Sequence, residues 1–144
     1  RRYETSPKPV VAALNGFTNI RWLEADAFEA LRAYERGRER FDVIALDPPA
    51  FAKTRAALSQ ALRGYREVNL RAMRILAPGG TLITASCSFH VRRPEFLAMP
   101  AEAAADSSRP IVLRAILGQG RDHPELLTVP ETGYLKGAVL TAAS

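Results

Sequence analysis

The sequence predicts an α/β domain organised around a parallel sheet, and three observations carry the prediction. Strand-like apolar runs alternate along the chain with longer segments of helical period, the pattern of a sheet whose strands are joined by helices. The run at 43–46 is apolar without interruption, as expected of a strand covered by helices on both faces. A length of 144 residues, 47% of them hydrophobic, suits one domain that buries roughly two thirds of the surface its unfolded chain exposes.

The elements follow in order. PVVAALNG (9–16) is a short helical run closed by Asn15 and Gly16, residues that tolerate the left-handed turn ending a helix. NIRWLEADAF (19–28) reads as the first strand, alternating at Ile20 and Trp22 and running out at Asp26. EALRAYERGRER (29–40) is a charged amphipathic helix, and FDVIALDPPAF (41–51) a second strand, stopped by Pro48 and Pro49 because proline cannot donate to a ladder. Between 56 and 76 apolar residues recur at helical spacing, among them Leu58, Leu62, Tyr65, Val68 and Met73, before APGG (77–80) turns the chain. TLITAS (81–86) is the next strand. PEFLAMPAEAAADS is helical from Glu95, with Pro100 expected to kink or break it. Residues 110–118 and 134–142 are two further strands joined without a helix, which predicts an antiparallel edge.

No apolar run approaches the length of a membrane span, so no membrane partner is expected. The single cysteine, Cys87, excludes an internal disulfide and a cysteine-based zinc site, and suits a reducing cytoplasm. His90 and His123 have no metal-ligand spacing, so no metal is expected. A net charge of +5 would attract a polyanion such as RNA. The chain opens at Arg1 in a polar stretch without an initiator Met, which reads as a fragment, a processed chain or a trimmed one.

In an open α/β sheet, ligands bind in the crevice beyond the carboxyl ends of the strands. Asp26, Asp47-Pro48-Pro49 and Ser86-Cys87-Ser88 each follow a predicted strand, so parallel strands would gather them on one rim. Two prolines after Asp47 hold its carboxylate on a stiff backbone, suited to recognising the edge of a planar base or amide; the plainer alternative is a solvated turn. Cys87 has two readings as well. Free cysteine is commonly inert packing, and it becomes a nucleophile where cations favour its thiolate, as His90, Arg92 and Arg93 just downstream would allow. The GRDHPE stretch (120–125) reads equally as a functional loop or a turn. Arg63, Arg66, Arg71 and Arg74 along the long helix read as a solvated face or a track for RNA.

FDVIALDPPAFAK (41–53), LRGYREVNLRAMRILAPGGTLITASCS (62–88) and DHPELLTVPETGYLKG (122–137), in that order, resemble the class I S-adenosylmethionine-dependent methyltransferases, and within them the ribosomal RNA large subunit methyltransferase I type, which modifies C5 of cytosine. The resemblance implies a Rossmann-like sheet, S-adenosyl-L-methionine as cofactor and ribosomal RNA as partner. It implies that Cys87 attacks C6 of the cytosine to form a covalent intermediate. Asp47 would hold the cytosine edge, with Asp26, Ala27, Asp47 and Pro48 on the cofactor side. Pro49, Phe51, Lys53, Arg63 and Tyr65 fall on the substrate side, with Phe51 or Tyr65 a stacking surface for a base flipped from its stack. Family members that methylate guanine carry Asp-Pro-Pro without the later cysteine, so Cys87 turns the resemblance toward cytosine.

The resemblance is partial. Two strands with a glycine-rich turn and a ribose-binding acid precede the matching segment in the family, and no G-x-G pattern precedes Asn15 here. The expected sheet is therefore truncated on its N-terminal side, with an incomplete cofactor site. The missing strands would lie between the IRWLEAD strand and the DVIALD strand, and their loss bares an edge that invites pairing. The expectation is a homodimer through that edge, a first strand that moves to fill the gap, or a piece of a longer enzyme. Two other functions stand beside the cytosine reading: an RNA methyltransferase acting on an amine, with Cys87 structural, and an RNA-binding remnant without catalysis.

Overall fold

The computed structural model describes residues 8–51 and 54–143. Helices α1 (Lys8–Leu14) and α2 (Ala27–Arg36) precede strand β1 (Phe41–Leu46), and helix α3 (Leu58–Arg74) leads to strand β2 (Leu76–Ser86). Helix α4 (Arg93–Ser107) then connects to strands β3 (Ile111–Leu117) and β4 (Lys136–Ala142). The strands form one four-stranded sheet in the order β1-β2-β4-β3. β1 and β2 are parallel, while β4 runs antiparallel to both β2 and β3. β3 is thus parallel to β1 and β2, and the α/β expectation holds.

Two details of that expectation change. The last two strands do pair antiparallel, but β4 inserts between β2 and β3, so the antiparallel strand is internal and β3 is the edge. The long connection 118–135 lets the chain return between its two neighbours. Alternate residues Lys136, Ala138, Leu140 and Ala142 are all buried, as an internal strand requires.

The helices collect on one face. α3 packs on β1 and β2, α4 packs on α3 and β4, and α2 lies beside α3. Their shared core holds Tyr65, Met73, Leu76, Leu82, Phe96, Met99 and Leu140, with Leu31, Val68 and Ile75 forming a smaller cluster under α2. On the opposite face, Val43 is 64% exposed and Ile83 37%, and the register sets Ala45, Ile83 and Val139 in one row across the sheet, with Val43 in the next row opposite Thr81. The uninterrupted apolar run of β1 predicted cover on both faces; among the described residues only one face has it, because every packed helix lies on the same side.

The predicted first strand does not form. Residues 17–25 are exposed and lack strand pairing, and Ile20, Trp22 and Leu23 are 44%, 47% and 56% exposed. A strand needs a neighbour for its amides, and these residues do not move over to fill the gap beside β1, whose outer edge has no partner among the described residues. Pro100 also departs from expectation: α4 runs through it from Arg93 to Ser107. The ring is buried, so contact with the core offsets the amide donor that proline removes. Gly16 takes φ +71° just after α1, as expected. APGG, expected as a turn before the strand, instead lies inside β2, which begins at Leu76; the ladder steps from Phe41–Leu76 to Val43–Thr81, and Gly79, with φ +73°, sits in the bulge this leaves.

Candidate functional site

Asp47 follows β1 and Cys87 follows β2. The register Leu46 to Thr84 between these parallel neighbours puts Asp47 opposite Ala85 and Cys87 two residues further along. The two groups therefore share the carboxyl rim on adjacent strands, about 5 Å apart laterally and about 7 Å along the strand direction at ordinary sheet spacing. Asp47 is exposed and Cys87 half-buried.

One side chain joins their two loops. Tyr65, wholly buried on α3, lies 2.9 Å through its hydroxyl from Ser88 Oγ, and accepts a long 3.4 Å hydrogen bond from Phe51 N. Its ring meets that of Phe51 at 4.6 Å between centroids. The residue expected as a stacking surface is therefore enclosed in the core and acts as a tie between the DPPAF loop and the SCS turn. Phe51 keeps one side toward a surface cavity of about 340 Å³ that it shares with Phe28, Gln60 and Gly64.

Asp26 does not follow a strand. It caps α2, its Oδ1 accepting from Glu29 N at 3.1 Å, which satisfies a helix amide that would otherwise lack a partner. Ala27 begins the helix behind it. The first turn of α2 meets the loop after β1 through Phe28, which stacks on Phe51 with centroids 6.2 Å apart. Pro48 is half-buried and Pro49 exposed on the loop after Asp47; Lys53 lies outside the described residues.

The arginine series is mostly tied down. Arg66 pairs with Asp106 and with Glu102 of α4, while Arg71 and Arg74 both pair with Glu35 of α2. Hydrogen bonding to Arg71 is the largest influence holding the Glu35 carboxyl below its ordinary range. These three residues link helices to one another, a role that neither expected reading of the series, a solvated face or a track for RNA, had given them. Arg63 is exposed in the groove between α3 and α4. No group of His, Cys, Asp or Glu side chains among the described residues could hold a metal ion, and no helix among them is long and apolar enough to cross a membrane.

A cavity of about 640 Å³ opens beyond the SCS turn, lined by Phe89, His90, Arg93, Glu95, Gln119 and Lys136 among others. Gln119 organises its far side, accepting from Tyr134 N and Leu135 N and donating to His123 O; the GRDHPE stretch is thereby an exposed turn held from Gln119. Lys136 is 5% exposed and donates from Nζ to Ser88 O at 2.7 Å. Burial is the main influence lowering its pKa, with Cys87 opposing and Arg93 reinforcing the shift. Glu95 Oε2 is shielded from solvent and has no hydrogen-bond partner among the described residues. Sequence reading missed both Lys136 and Glu95. Lys136 had a legible signal: it heads the alternating series Lys136, Ala138, Leu140, Ala142, and a lysine on the inward stripe of a strand is out of place unless it has a task.

No family model matches the chain. It is 44% identical over 133 residues to the ribosomal RNA large subunit methyltransferase I of Aeromonas salmonicida (strain A449), an alignment covering 91% of this chain and 34% of that protein. The protein of the same name from Vibrio cholerae serotype O1 (strain ATCC 39315 / El Tor Inaba N16961) is 44% identical over 88% of the chain and 33% of the relative. The chain thus spans about a third of the length of the curated relatives it matches. Among solved structures, SMU.776 complexed with SAH matches with a TM-score of 0.78 at 17% identity, over 92% of this chain and 35% of that one. TrmN from Thermus thermophilus matches at 0.57 and 22% identity, over 92% and 31%. These likenesses show a shared fold, an open α/β sheet.

Proposed function

We propose, from the premise that this chain is homologous to a third of the ribosomal RNA large subunit methyltransferase I proteins, that it is the acceptor side of an S-adenosylmethionine-dependent RNA methyltransferase. Its target is C5 of a cytosine in large-subunit ribosomal RNA, and Cys87 is the nucleophile. The observation that supports this most is the shared rim: Asp47 and Cys87 emerge from adjacent parallel strands, and Tyr65 fixes the loops that carry them.

The residues present fit one wall of a cofactor site. Asp47 and Pro48 stand at the carboxyl end of β1, and Phe28 of α2 stacks on Phe51 of the loop that follows, but among the described residues β1 has no partner on its outer edge, where the cofactor-binding strands of the family would pair. When bound, the cofactor supplies an electrophilic methyl group on a sulfonium. This chain's residues do the rest. The Asp47 carboxylate, stiffened by Pro48 and Pro49, accepts from the exocyclic amine and holds the cytosine edge. Cys87 Sγ adds to C6, which makes C5 a carbon nucleophile. The base must leave its stack to reach the rim, and Phe51 offers it an aromatic wall.

The bare β1 edge also supports pairing with another strand, from preceding polypeptide or from a second copy. Sedimentation of the chain at micromolar concentration distinguishes them, since only the second gives a dimer.

The test of the activity is methyl transfer to large-subunit ribosomal RNA by the full-length polypeptide carrying Cys87→Ala. A loss of roughly a thousandfold or more in kcat, with RNA affinity kept, is expected for removal of a nucleophile. Near-normal turnover would transfer the assignment to an amine acceptor, with Asp47 at its centre.

A further inference from the structure

We infer that Lys136 is the base that removes the C5 proton, the step that releases the methylated cytosine from Cys87. The inference rests on the cytosine reading above and deepens it.

Geometry carries it. Lys136 is the β4 residue paired with Ser86 across the β2–β4 ladder, so its side chain rises on the same face as Ser86, one residue from Cys87. It is buried to 5% exposure, and its Nζ reaches the carbonyl of Ser88, the residue after the nucleophile, at 2.7 Å. No ion pair within 4.0 Å involves it among the described residues. The side chain nonetheless lines the cavity of about 640 Å³ that opens past Phe89 and His90. A lysine enclosed in a sheet core without a paired carboxylate is costly unless it can be neutral, and a neutral amine that gives one hydrogen to Ser88 O keeps a lone pair free.

The groups around it agree. Desolvation lowers its pKa and Arg93 on α4 adds to the effect, while Cys87 at the end of β2 and Glu95 on α4 act in the opposite direction. Glu95 stands on the same cavity wall with an oxygen that lacks a hydrogen-bond partner among the described residues. It is placed to stabilise the ammonium formed when Lys136 takes up a proton.

The step balances. In the methylated adduct, C6 is bonded to Cys87 Sγ, and C5 bears both the new methyl and its original hydrogen. Lys136 Nζ takes that hydrogen as a proton. The C5–H electron pair becomes the C5=C6 double bond, the C6–S bond breaks, and its pair leaves on sulfur as the thiolate. Lys136 ends as the ammonium and loses the proton to solvent through the cavity. The other groups at hand suit the task less: Asp47 is committed to the base edge on the other strand, and His90 lies on the turn beyond the SCS segment.

The experiment uses the full-length polypeptide, large-subunit ribosomal RNA and S-adenosylmethionine, with Lys136→Arg and Lys136→Met. If Lys136 is the base, both variants attack and accept methyl but cannot release. A covalent protein–RNA adduct then accumulates on denaturing gels, is absent with Cys87→Ala in the same background, and turnover falls at least a hundredfold. Lys136→Arg keeps the charge and the donor to Ser88 O, so turnover restored by arginine would assign Lys136 a merely structural or electrostatic part and overturn the inference. A variant with native circular dichroism that shows neither turnover nor adduct would overturn it too. If wild-type protein methylates but shows no dependence on Cys87, the cytosine reading itself fails, a result separate from either.

Discussion

Replacing Tyr65 with phenylalanine isolates the tie between the two loops that carry Asp47 and Cys87. The ring remains, with its packing against Phe51 at 4.6 Å, and only the hydroxyl goes. The loss comprises a buried 2.9 Å hydrogen bond with Ser88 Oγ and the long 3.4 Å bond from Phe51 N. At about 0.5–1.5 kcal/mol for an ordinary hydrogen bond, with the long one at the low end, the expected destabilisation is about 1–2 kcal/mol. For a chain of 144 residues, that lowers Tm by about 3–8 °C. Urea denaturation followed by circular dichroism measures the first quantity, and a thermal scan the second. Removing the ring as well, in Tyr65→Ala, creates a cavity in a residue with no exposed surface and should cost about 3–5 kcal/mol. The two variants separate the bond from the packing. A loss below about 0.5 kcal/mol for Tyr65→Phe, no more than an ordinary surface substitution, would refute the tie: the loops would be held by packing alone. If the hydroxyl is the tie, the same variant should reduce methyl transfer in the full-length polypeptide more than it reduces RNA affinity, because it loosens the nucleophile relative to the base-holding carboxylate.

Two further outcomes follow from other parts of the core. Arg109 donates from Nη1 to the carbonyls of Met73 and Leu76 at 2.8 and 2.5 Å, satisfying backbone oxygens where α3 ends and β2 begins; Arg109→Met should destabilise the chain by about 2–3 kcal/mol in urea denaturation, since these are bonds to a charged donor. Glu35 has a folded-state pKa lowered below its usual 4.5, chiefly by its hydrogen bond with Arg71, so its stabilising contribution is present above that value and is lost as pH falls through the lower, folded one. Glu35→Gln should therefore cost about 1 kcal/mol at neutral pH, with the difference from wild type shrinking in denaturation curves taken at successively lower pH; a difference that holds constant into acid would show that the ion pair contributes nothing.

The sequence by itself determined which residues become helix and strand wherever the signal is local. The period of 58–74, the prolines closing β1 and Gly16 closing α1 each act within one turn of the chain, and each is realised. It also placed Asp47 and Cys87 at strand ends, because a strand end is marked by the residues that cannot continue it. What it could not determine is everything that depends on a neighbour distant in the chain. Residues 19–25 have the alternation of a strand yet remain exposed coil, because a strand is completed only by a partner's amides and carbonyls. β4 enters the sheet between β2 and β3, a choice made by the length of the preceding connection and by the cross-sheet packing of its inward stripe. Tyr65 reads as an aromatic on an amphipathic helix, equally suited to a core or a base-stacking site, and only the arrival of Ser88 and Phe51 at its hydroxyl makes it a tie. Lys136 reads as one basic residue among many. It becomes a candidate base because antiparallel pairing sets it opposite Ser86 and in from solvent, where the cost of a buried charge, a property of position rather than of residue type, changes what a lysine can do.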